Sequence, residues 1–222
     1  MKPKVLGLVH TSAMLVPMFQ QLCRDKLPGV EAFNIADDSL IKDVIRHGGL
    51  TPAIARRLLQ HIFLAQDAGA DYIMVTCSSV GPAVETASSL CQVPVLRIDQ
   101  PMADKAVQLG TRIGVIATLS TTLEPTADLI RRRAAIAHKH VQLEPHLCEG
   151  AFDALVRGDA ARHDAMIRDA LVRLGQRADV IVLAQASMAR VAEALDPRTV
   201  NVPILASPSI AFEYLAGALQ RL

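Results

Sequence analysis

Residues 70–79, ADYIMVTCSS, form an apolar run that ends in Thr76, Cys77 and two serines. The stretch 178–187, ADVIVLAQAS, repeats it 108 positions later (178 − 70). Two more pairs repeat at nearly the same offset, GLVHT at 7–11 with GVIAT at 114–118, and VPVL at 93–96 with VPIL at 202–205. Each match alone is weak, and coincidence among generic apolar strands is the alternative. Three strand ends in one register favour a duplicated half of about 108 residues.

Short apolar, β-branched runs recur along the chain and predict buried parallel strands. The clear ones are Val5–Val9, Tyr72–Val75, Pro94–Ile98, Ile113–Ala117, Val180–Leu183 and Pro203–Leu205, and weaker ones are Val30–Ile35 and Val141–Leu143. Amphipathic helix signals lie between them, for example Thr51 as N-cap before Pro52. This alternation implies right-handed βαβ units. The sequence therefore predicts an α/β fold of two pseudo-symmetric domains, each a mostly parallel sheet flanked by helices.

The composition excludes several classes of protein. The 222 residues are 51% hydrophobic, which is enough for a sizeable core and excludes a disordered chain. A net charge of +1 with 3% aromatic residues provides neither the basic surface nor the stacking side chains of nucleic-acid binding. No apolar run approaches the roughly 20 residues of a membrane span. The four cysteines lack CxxC or zinc spacing, so we expect no metal site and no disulfide framework, but reduced thiols in a cytoplasmic protein.

Polar residues gather where the predicted strands end. Parallel sheets bind ligands outside the carboxyl ends of their strands. A duplicated pair of such sheets is therefore expected to hold an active-site cleft between its two domains. The polar groups that follow directly on apolar runs are His10-Thr11-Ser12, residues 76–79, residues 118–122 and Gln185-Ala186-Ser187.

Cys77 is the candidate catalytic residue in this setting. It is followed by two serines and a helix opening near Pro82, where N–H groups at the helix start can stabilise a thiolate. An ordinary cysteine pKa of about 8.5 leaves too little thiolate at neutral pH for an efficient base, so we expect the pKa of Cys77 to be lowered. The alternative is a buried structural cysteine, and this is how we interpret Cys23, Cys91 and Cys148.

Hydroxyl groups and loop N–H groups can bind a carboxylate without a cation, as helix N-termini hold anions. Neutral donors also suit the charge that develops on a carboxylate during α-deprotonation. The candidates are Thr11, Ser12, Ser78, Ser79, Thr118, Thr121 and Thr122, although several can equally be helix caps. His10 is a further substrate-binding candidate because it ends the first strand. We interpret His138, His140 and His163 as surface residues, and no Gly-rich phosphate motif is present.

With these motifs the chain resembles the aspartate/glutamate/hydantoin racemase superfamily, which also includes maleate isomerases and arylmalonate decarboxylases. The resemblance covers nearly the whole chain. It implies a domain of residues 1–98 joined by a returning C-terminal helix at 208–222, and a second domain of residues 99–207. It also implies a small carboxylate substrate, no cofactor and frequently a homodimer.

The resemblance places a second proton-exchanging cysteine where this chain has Gln185, flanked by Ala186 and Ser187 as further substrate-binding candidates. Gln185 cannot exchange a proton as a thiol does, so ordinary two-thiol racemisation is in doubt. Three hypotheses follow. Cys77 is a lone base or acid in a proton shift or decarboxylation, with Gln185 as a hydrogen-bond donor. Alternatively, Cys77 adds to an activated double bond of a dicarboxylate, as in cis-trans isomerases. In the third hypothesis the protein binds a small carboxylate without catalysis.

Overall fold

Two parallel sheets of identical topology form the framework of the protein, and the computed structural model describes residues 3–221. The first sheet has the order β2-β1-β3-β4, with β1 (Val5–His10), β2 (Glu31–Ala36), β3 (Tyr72–Val75) and β4 (Val95–Arg97). The second has the order β6-β5-β7-β8, with β5 (Arg112–Ala117), β6 (Gln142–Leu147), β7 (Val180–Leu183) and β8 (Ile204–Ala206). Every neighbouring pair is parallel. The predicted α/β class with two similar parallel sheets is confirmed.

Helices connect the strands of each sheet. Those associated with the first sheet are α1 (Val16–Lys26), α2 (Asp38–His47), α3 (Pro52–Asp67) and α4 (Gly81–Ser88). Those associated with the second are α5 (Gln100–Leu109), α6 (Ser120–Ile136), α7 (Ala151–Val156), α8 (Ala160–Gly175) and α9 (Ala189–Glu193). The last helix is α10 (Ser207–Leu219), and short 3-10 turns lie at Ala13–Leu15, Ser78–Val80 and Ala186–Met188. None of the helices described in residues 3–221 is long and apolar enough to cross a membrane.

The chain divides into two units, Met1–Ile98 with Pro208–Leu222, and Asp99–Ser207. In the first unit α10 buries Phe212 and Leu215 against Leu6 and Leu8 of β1 and against Phe19 of α1. On the other face of the same sheet, α3 buries its apolar stripe against β1 and β3. Burying a leucine or phenylalanine side chain contributes about 1.5–3 kcal/mol, so the returning helix is a substantial part of the core of the first unit.

Most strand ends lie within one residue of the sequence-based expectation, whereas the edge strands β2 and β6 depart from it in position or length, and one helix cap agrees with it. Strand β6 runs to Leu147, beyond the predicted end at Leu143, because its exposed side chains interrupt the apolar pattern of an edge strand. Strand β2, also an edge strand, lies at Glu31–Ala36, so it is shifted by one residue towards the C-terminus from the predicted Val30–Ile35. Thr51 caps α3 as expected, since its hydroxyl accepts the Ile54 N–H at 3.3 Å.

Candidate active site

Cys77 lies just beyond the carboxyl end of β3 and directly precedes the turn Ser78–Val80. Its extended backbone (φ −133°, ψ 120°) ends the strand, and the two serines and Gly81 then turn the chain into α4. Pro82 lies in the first turn of that helix, where its missing N–H costs no hydrogen bond. Ser78 and Ser79 are buried, whereas Cys77 keeps part of its surface exposed. The cysteine is therefore the accessible residue of this turn.

Four neighbouring donor groups favour the thiolate form of Cys77, although its side chain makes no capping hydrogen bond to the turn Ser78–Val80. They are the Thr11 hydroxyl, the Ser79 N–H, the Ser79 hydroxyl and the Val80 N–H. Burial raises the pKa of the thiol, these donors lower it, and the net direction is upward. The predicted stabilisation by N–H groups at the turn is present, but the predicted net lowering of the pKa is wrong because desolvation outweighs it. Cys77 therefore rests as a neutral thiol at neutral pH.

The loop after β1 brings Thr11 to this sulfur. Thr11 is buried, and Ser12 beside it is partly exposed. The next residue, Ala13, donates its backbone N–H to the Asp38 carboxylate at 2.6 Å, which ties the loop to the start of α2. Anchoring of this kind restricts the conformations open to the loop and so fixes the Thr11 hydroxyl relative to Cys77.

His10 lies in the interior of the first unit, with none of its surface exposed. Its Nε2 lies 2.9 Å from Asn34 Oδ1 and its Nδ1 lies 2.9 Å from Thr76 Oγ1. Burial lowers the pKa of the imidazole, opposed by the Asn34 hydrogen bond. Because Asn34 Oδ1 only accepts, the neutral ring carries its proton on Nε2, and Nδ1 accepts the Thr76 hydroxyl. This placement favours a role in positioning Thr76 over direct contact with a substrate.

Gln185 occupies the corresponding place in the second unit. It lies two residues after the end of β7 and directly before the turn Ala186–Met188, with a backbone (φ −131°, ψ 138°) close to that of Cys77. Its Oε1 accepts the Thr118 N–H at 2.6 Å and the Thr118 hydroxyl at 2.9 Å. Among the described residues its Nε2 has no hydrogen-bond acceptor. The amide is thus oriented, with its donor group available, and the neighbouring Ala186 and Ser187 are partly exposed.

The remaining candidates of the second unit lie on the first turn of α6. Thr121 and Thr122 are both buried, and within residues 3–221 the Thr121 hydroxyl has no hydrogen-bond partner. An unpaired buried hydroxyl of this kind costs about 1–3 kcal/mol. Each sheet thus gathers its own set at its carboxyl edge. The first set is His10, Thr11, Ser12, Cys77, Ser78 and Ser79, and the second is Thr118, Thr121, Thr122, Gln185, Ala186 and Ser187.

The structure corrects one interpretation and adds residues that the sequence did not indicate. His163, expected on the surface, is fully buried on α8, where its Nδ1 contacts the Asp164 carboxylate at 2.8 Å. Asn34, partner of His10, and Arg97, fully buried at the end of β4, were not predicted. A charged residue directly after the apolar run VPVL was the available signal for Arg97. Within residues 3–221 no cluster of His, Cys, Asp or Glu is suited to a metal ion.

Comparisons with known proteins agree with this architecture. The Asp/Glu/Hydantoin racemase family model matches residues 6–215. Glutamate racemase from Bacillus anthracis is 16% identical, with 100% of this chain and 83% of that chain covered and a TM-score of 0.75. Allantoin racemase from Klebsiella pneumoniae is 20% identical (98% and 88% covered, TM-score 0.73). Aspartate racemase from Picrophilus torridus is 12% identical (96% and 94% covered, TM-score 0.70).

A comparison with curated proteins found no match. The likeness to the three solved structures shows the shared fold, and the family model spans most of the chain. The chain therefore belongs to the Asp/Glu/Hydantoin racemase family and is an enzyme of the isomerase class.

Proposed function

We propose that this enzyme moves a proton at the α-carbon of a small carboxylate, such as an amino acid or a related acid, with Cys77 as its one exchanging thiol. The observation that carries the proposal is the set of donors near the Cys77 sulfur, from Thr11, Ser79 and Val80. Such donors stabilise a thiolate when it forms, which is the requirement for a thiol that accepts and returns a proton. The corresponding residue of the repeat, Gln185, has no proton to exchange.

The proton steps balance around one thiolate. The neutral thiol of Cys77 first gives its proton to water. The α C–H bond then breaks, an S–H bond forms on the thiolate, and the electron pair moves into the substrate carboxylate, which becomes an enediolate. Fixed neutral donors oppose the growing charge on those oxygens better than a mobile counter-ion does. We assign this binding role to Thr11, Ser12, Ser78 and Ser79 in the first unit. In the second unit we assign the same binding role to the side chains of Gln185, Thr118, Thr121 and Thr122. We also assign it to the turn that contains Ala186 and Ser187.

Gln185 serves in this proposal as a donor to the substrate. Its Oε1 is committed to Thr118, at 2.6 Å from the N–H and 2.9 Å from the hydroxyl, so the amide presents Nε2 rather than alternating between donor and acceptor. A fixed donor favours a carboxylate over a neutral or cationic group. With one thiol, the proton returns to the face from which it left, so exchange with retention is expected rather than rapid inversion of both enantiomers.

Decarboxylation of a malonate is a second candidate, and the raised pKa of Cys77 favours it. A thiol that rests protonated is ready to act as an acid. In this reaction the C–C bond to one carboxylate breaks, CO₂ leaves, and the S–H proton of Cys77 passes to the resulting enediolate. Two other functions would replace both candidates if the experiment supported them. They are cis-trans isomerisation of a dicarboxylate and binding of a carboxylate without catalysis.

We further propose that the enzyme acts without a cofactor, as a homodimer in the cytoplasm. The family resemblance supports the first two statements, and four free thiols support a reducing compartment. Light scattering on the purified protein tests the homodimer, for which twice the 23.9 kDa chain mass is expected. Turnover after exhaustive dialysis against a chelator tests independence from cofactors, and full retention is expected.

The deciding experiment follows deuterium incorporation, CO₂ release and optical rotation in D₂O for a panel of amino acids, hydantoins, malonates and hydroxy acids. We expect α-deuteration with retention, or CO₂ release, and a loss of about 100- to 10,000-fold in the Cys77→Ser variant. Cys91→Ser is the matched control, since that thiol is also partly exposed and has no donors from a turn. Full activity of Cys77→Ser would reject the proposal. Tight carboxylate binding without turnover would establish the silent binder instead.

A further inference from the structure

Arg97 is the largest fully buried side chain among the described residues, with 1% of its surface exposed. It is the last residue of β4 and lies beside Val75 of β3 in the parallel register, two residues before Cys77. Removing a guanidinium from water is costly, and arginine is rarely buried unless it is paired. The position of this charge at the carboxyl edge of the first sheet therefore calls for a structural or functional reason.

The partners of Arg97 that carry the inference belong to the first turn of α4. Its Nη1 donates to Glu85 Oε1 at 2.5 Å, and the Glu85 side chain is partly exposed, at 35% of its surface. The guanidinium also lies flat against Gly81, where an added Cβ would overlap its Cζ and Nη2 atoms. Gly81 has an ordinary helical φ of −48°, so glycine is needed here for space and not for backbone conformation. Arg97 thus spans the helix turn from Gly81 to Glu85.

This helix turn continues directly from the turn that holds the thiol. Ser79 and Val80, whose N–H groups favour the thiolate form of Cys77 without capping it through a hydrogen bond in this structure, immediately precede Gly81. A shift of Gly81 would therefore move both N–H groups relative to the sulfur, and hydrogen bonds weaken steeply with distance and angle. A planar guanidinium fixed to a carboxylate is well suited to this supporting position, and a lysine ammonium is not.

We propose that Arg97 is a positioning residue for Cys77: its guanidinium, fixed to Glu85, supports Gly81 and so holds the Ser79 and Val80 N–H groups near the sulfur. Arg97 does not itself touch the substrate in this role. The inference rests on the proposed function of Cys77, but it concerns the state of the thiol and can be measured without turnover.

The test measures how fast iodoacetamide alkylates Cys77 in the intact protein at a series of pH values. After digestion, mass spectrometry of the Cys77 peptide gives the extent of reaction, and the midpoint is the pH of half-maximal rate. We expect the midpoint for Arg97→Met and Arg97→Lys to rise by about one pH unit, a roughly ten-fold slower reaction below the midpoint. Arg97→Lys keeps the positive charge but loses the planar guanidinium. If its midpoint is raised as in Arg97→Met, the shape of the group and not its charge supports Gly81. Arg133→Lys is the matched control, because Arg133 pairs with Asp104 between two helices of the second unit, and no change is expected.

Glu85→Gln covers the case in which the Arg97 variants fail to fold, since Glu85 retains some exposure and the exchange preserves its volume. We expect its alkylation midpoint to shift in the same direction by a smaller amount. An unchanged midpoint in every folded variant of Arg97 and Glu85 would overturn the inference, whatever their turnover. By contrast, full activity of Cys77→Ser would reject the proposed function and leave the alkylation result valid.

A double-variant cycle tests the contact with Gly81 independently. Gly81→Ala should lower the melting temperature and raise the Cys77 midpoint, because its Cβ would overlap the guanidinium. In an Arg97→Ser background the space is free, so the same change should have little further effect. Residues in contact give non-additive effects of this kind. Additive effects of the two changes would show that Arg97 does not act through Gly81.

Discussion

The two units have closely matching backbone hydrogen bonds, and they differ in the side chains at corresponding positions. Asp71 N–H donates to Val5 at 2.8 Å in the first unit, as Asp179 N–H donates to Arg112 at 2.7 Å in the second. At the other end of the same strands, Thr76 N–H donates to Val9 at 3.0 Å and Ala184 N–H to Ile116 at 2.9 Å. The duplicated framework therefore leaves the difference between the units to side chains.

The second residue after the third strand of each unit, Cys77 or Gln185, shows that difference most clearly. Thr11 donates its hydroxyl to Cys77, and Thr118 donates its hydroxyl to Gln185. The corresponding threonines thus favour the thiolate form of Cys77 in one unit and orient the Gln185 amide in the other. A hydroxyl donor suits either acceptor, so the second residue could change without loss of its neighbour. Under the proposed function, the first unit thus carries a thiol that can exchange a proton, and the second carries an amide that can only form hydrogen bonds.

The interior behind these residues differs in the same sense. In the first unit Thr76, His10 and Asn34 form a hydrogen-bonded chain with 2.9 Å contacts on both sides of the imidazole. The matching positions of the second unit are Ala184, Ala117 and Pro145, which have no side-chain donors or acceptors. A satisfied buried polar network rigidifies its surroundings. The polar chain therefore stiffens only the strand end that leads to the thiol.

Gln185→Glu is the change with the largest expected effect on this comparison. One carboxylate oxygen can still accept from Thr118, so the turn is preserved, but the donor group is lost and a negative charge faces the substrate carboxylate. We expect kcat/KM on the substrate found in the D₂O panel to fall about 100-fold or more, mainly through KM. Gln176→Glu, on an exposed residue, is the control. Wild-type kinetics in the Gln185 variant would mean that this residue does not bind the substrate.

His10→Ala tests the polar interior of the first unit. The change removes the ring between Thr76 and Asn34 and its packing on Phe19, whose ring centroid lies 5.4 Å away. We expect the free energy of unfolding in urea to fall by about 2–4 kcal/mol, from a cavity and two unpaired polar groups. His146→Ala, at a half-buried position of the second unit, should cost less than about 1 kcal/mol. Equal losses in the two variants would remove the distinction between the interiors.

The sequence predicted the framework well because its signals are local. Apolar runs and the repeat at residues 70–79 and 178–187 placed the central strands, the turns that follow them and the position of Gln185. Properties set by packing were not predictable. The burial of His163 depends on how α8 meets its sheet, although the neighbouring residues read as a polar helix start. The raised pKa of Cys77 and the burial of Arg97 likewise depend on tertiary contacts that adjacent residues do not specify.

The pH dependence of stability separates the two units by their histidines. Burial lowers the pKa of His10, and burial with Arg173 and Arg177 lowers that of His146. A histidine with a lowered folded pKa contributes its full stability above the unfolded value of about 6.5, and that contribution is lost as the pH falls below it. The slope cannot exceed about 1.4 kcal/mol per pH unit for each histidine.

We expect urea unfolding between pH 7 and pH 5 to show a flatter slope in His10→Gln than in the wild type. His146→Gln should flatten it less, because His146 is only half-buried and loses less hydration on folding. A steeper slope in His10→Gln, or the same slope as the wild type, would contradict the assignment of His10 as a buried neutral imidazole.

The smallest expected difference lies at the opposite end of the strands. Asp179 accepts the Thr111 N–H at 3.0 Å, the Arg112 N–H at 2.8 Å and the Arg112 guanidinium at 2.8 Å, and these donors hold its pKa well below the ordinary value. Asp71, its counterpart, accepts the Val5 N–H at 2.8 Å. Asp179→Asn should therefore lower the urea midpoint at pH 7 more than Asp71→Asn, by a margin that salt reduces because the groups are exposed.

The pH dependence of the difference in urea midpoint between Asp179→Asn and Asp71→Asn shows whether the charge of Asp179 causes it. A carboxyl group with a lowered folded pKa stabilises the protein above its unfolded pKa of about 3.9, and the contribution is lost as the pH falls below that value. The difference between the Asp179 and Asp71 variants should thus be constant from pH 7 to about pH 5 and shrink towards pH 3. A margin that persists undiminished at pH 3 would show that geometry, and not the charge of Asp179, distinguishes the two strand ends.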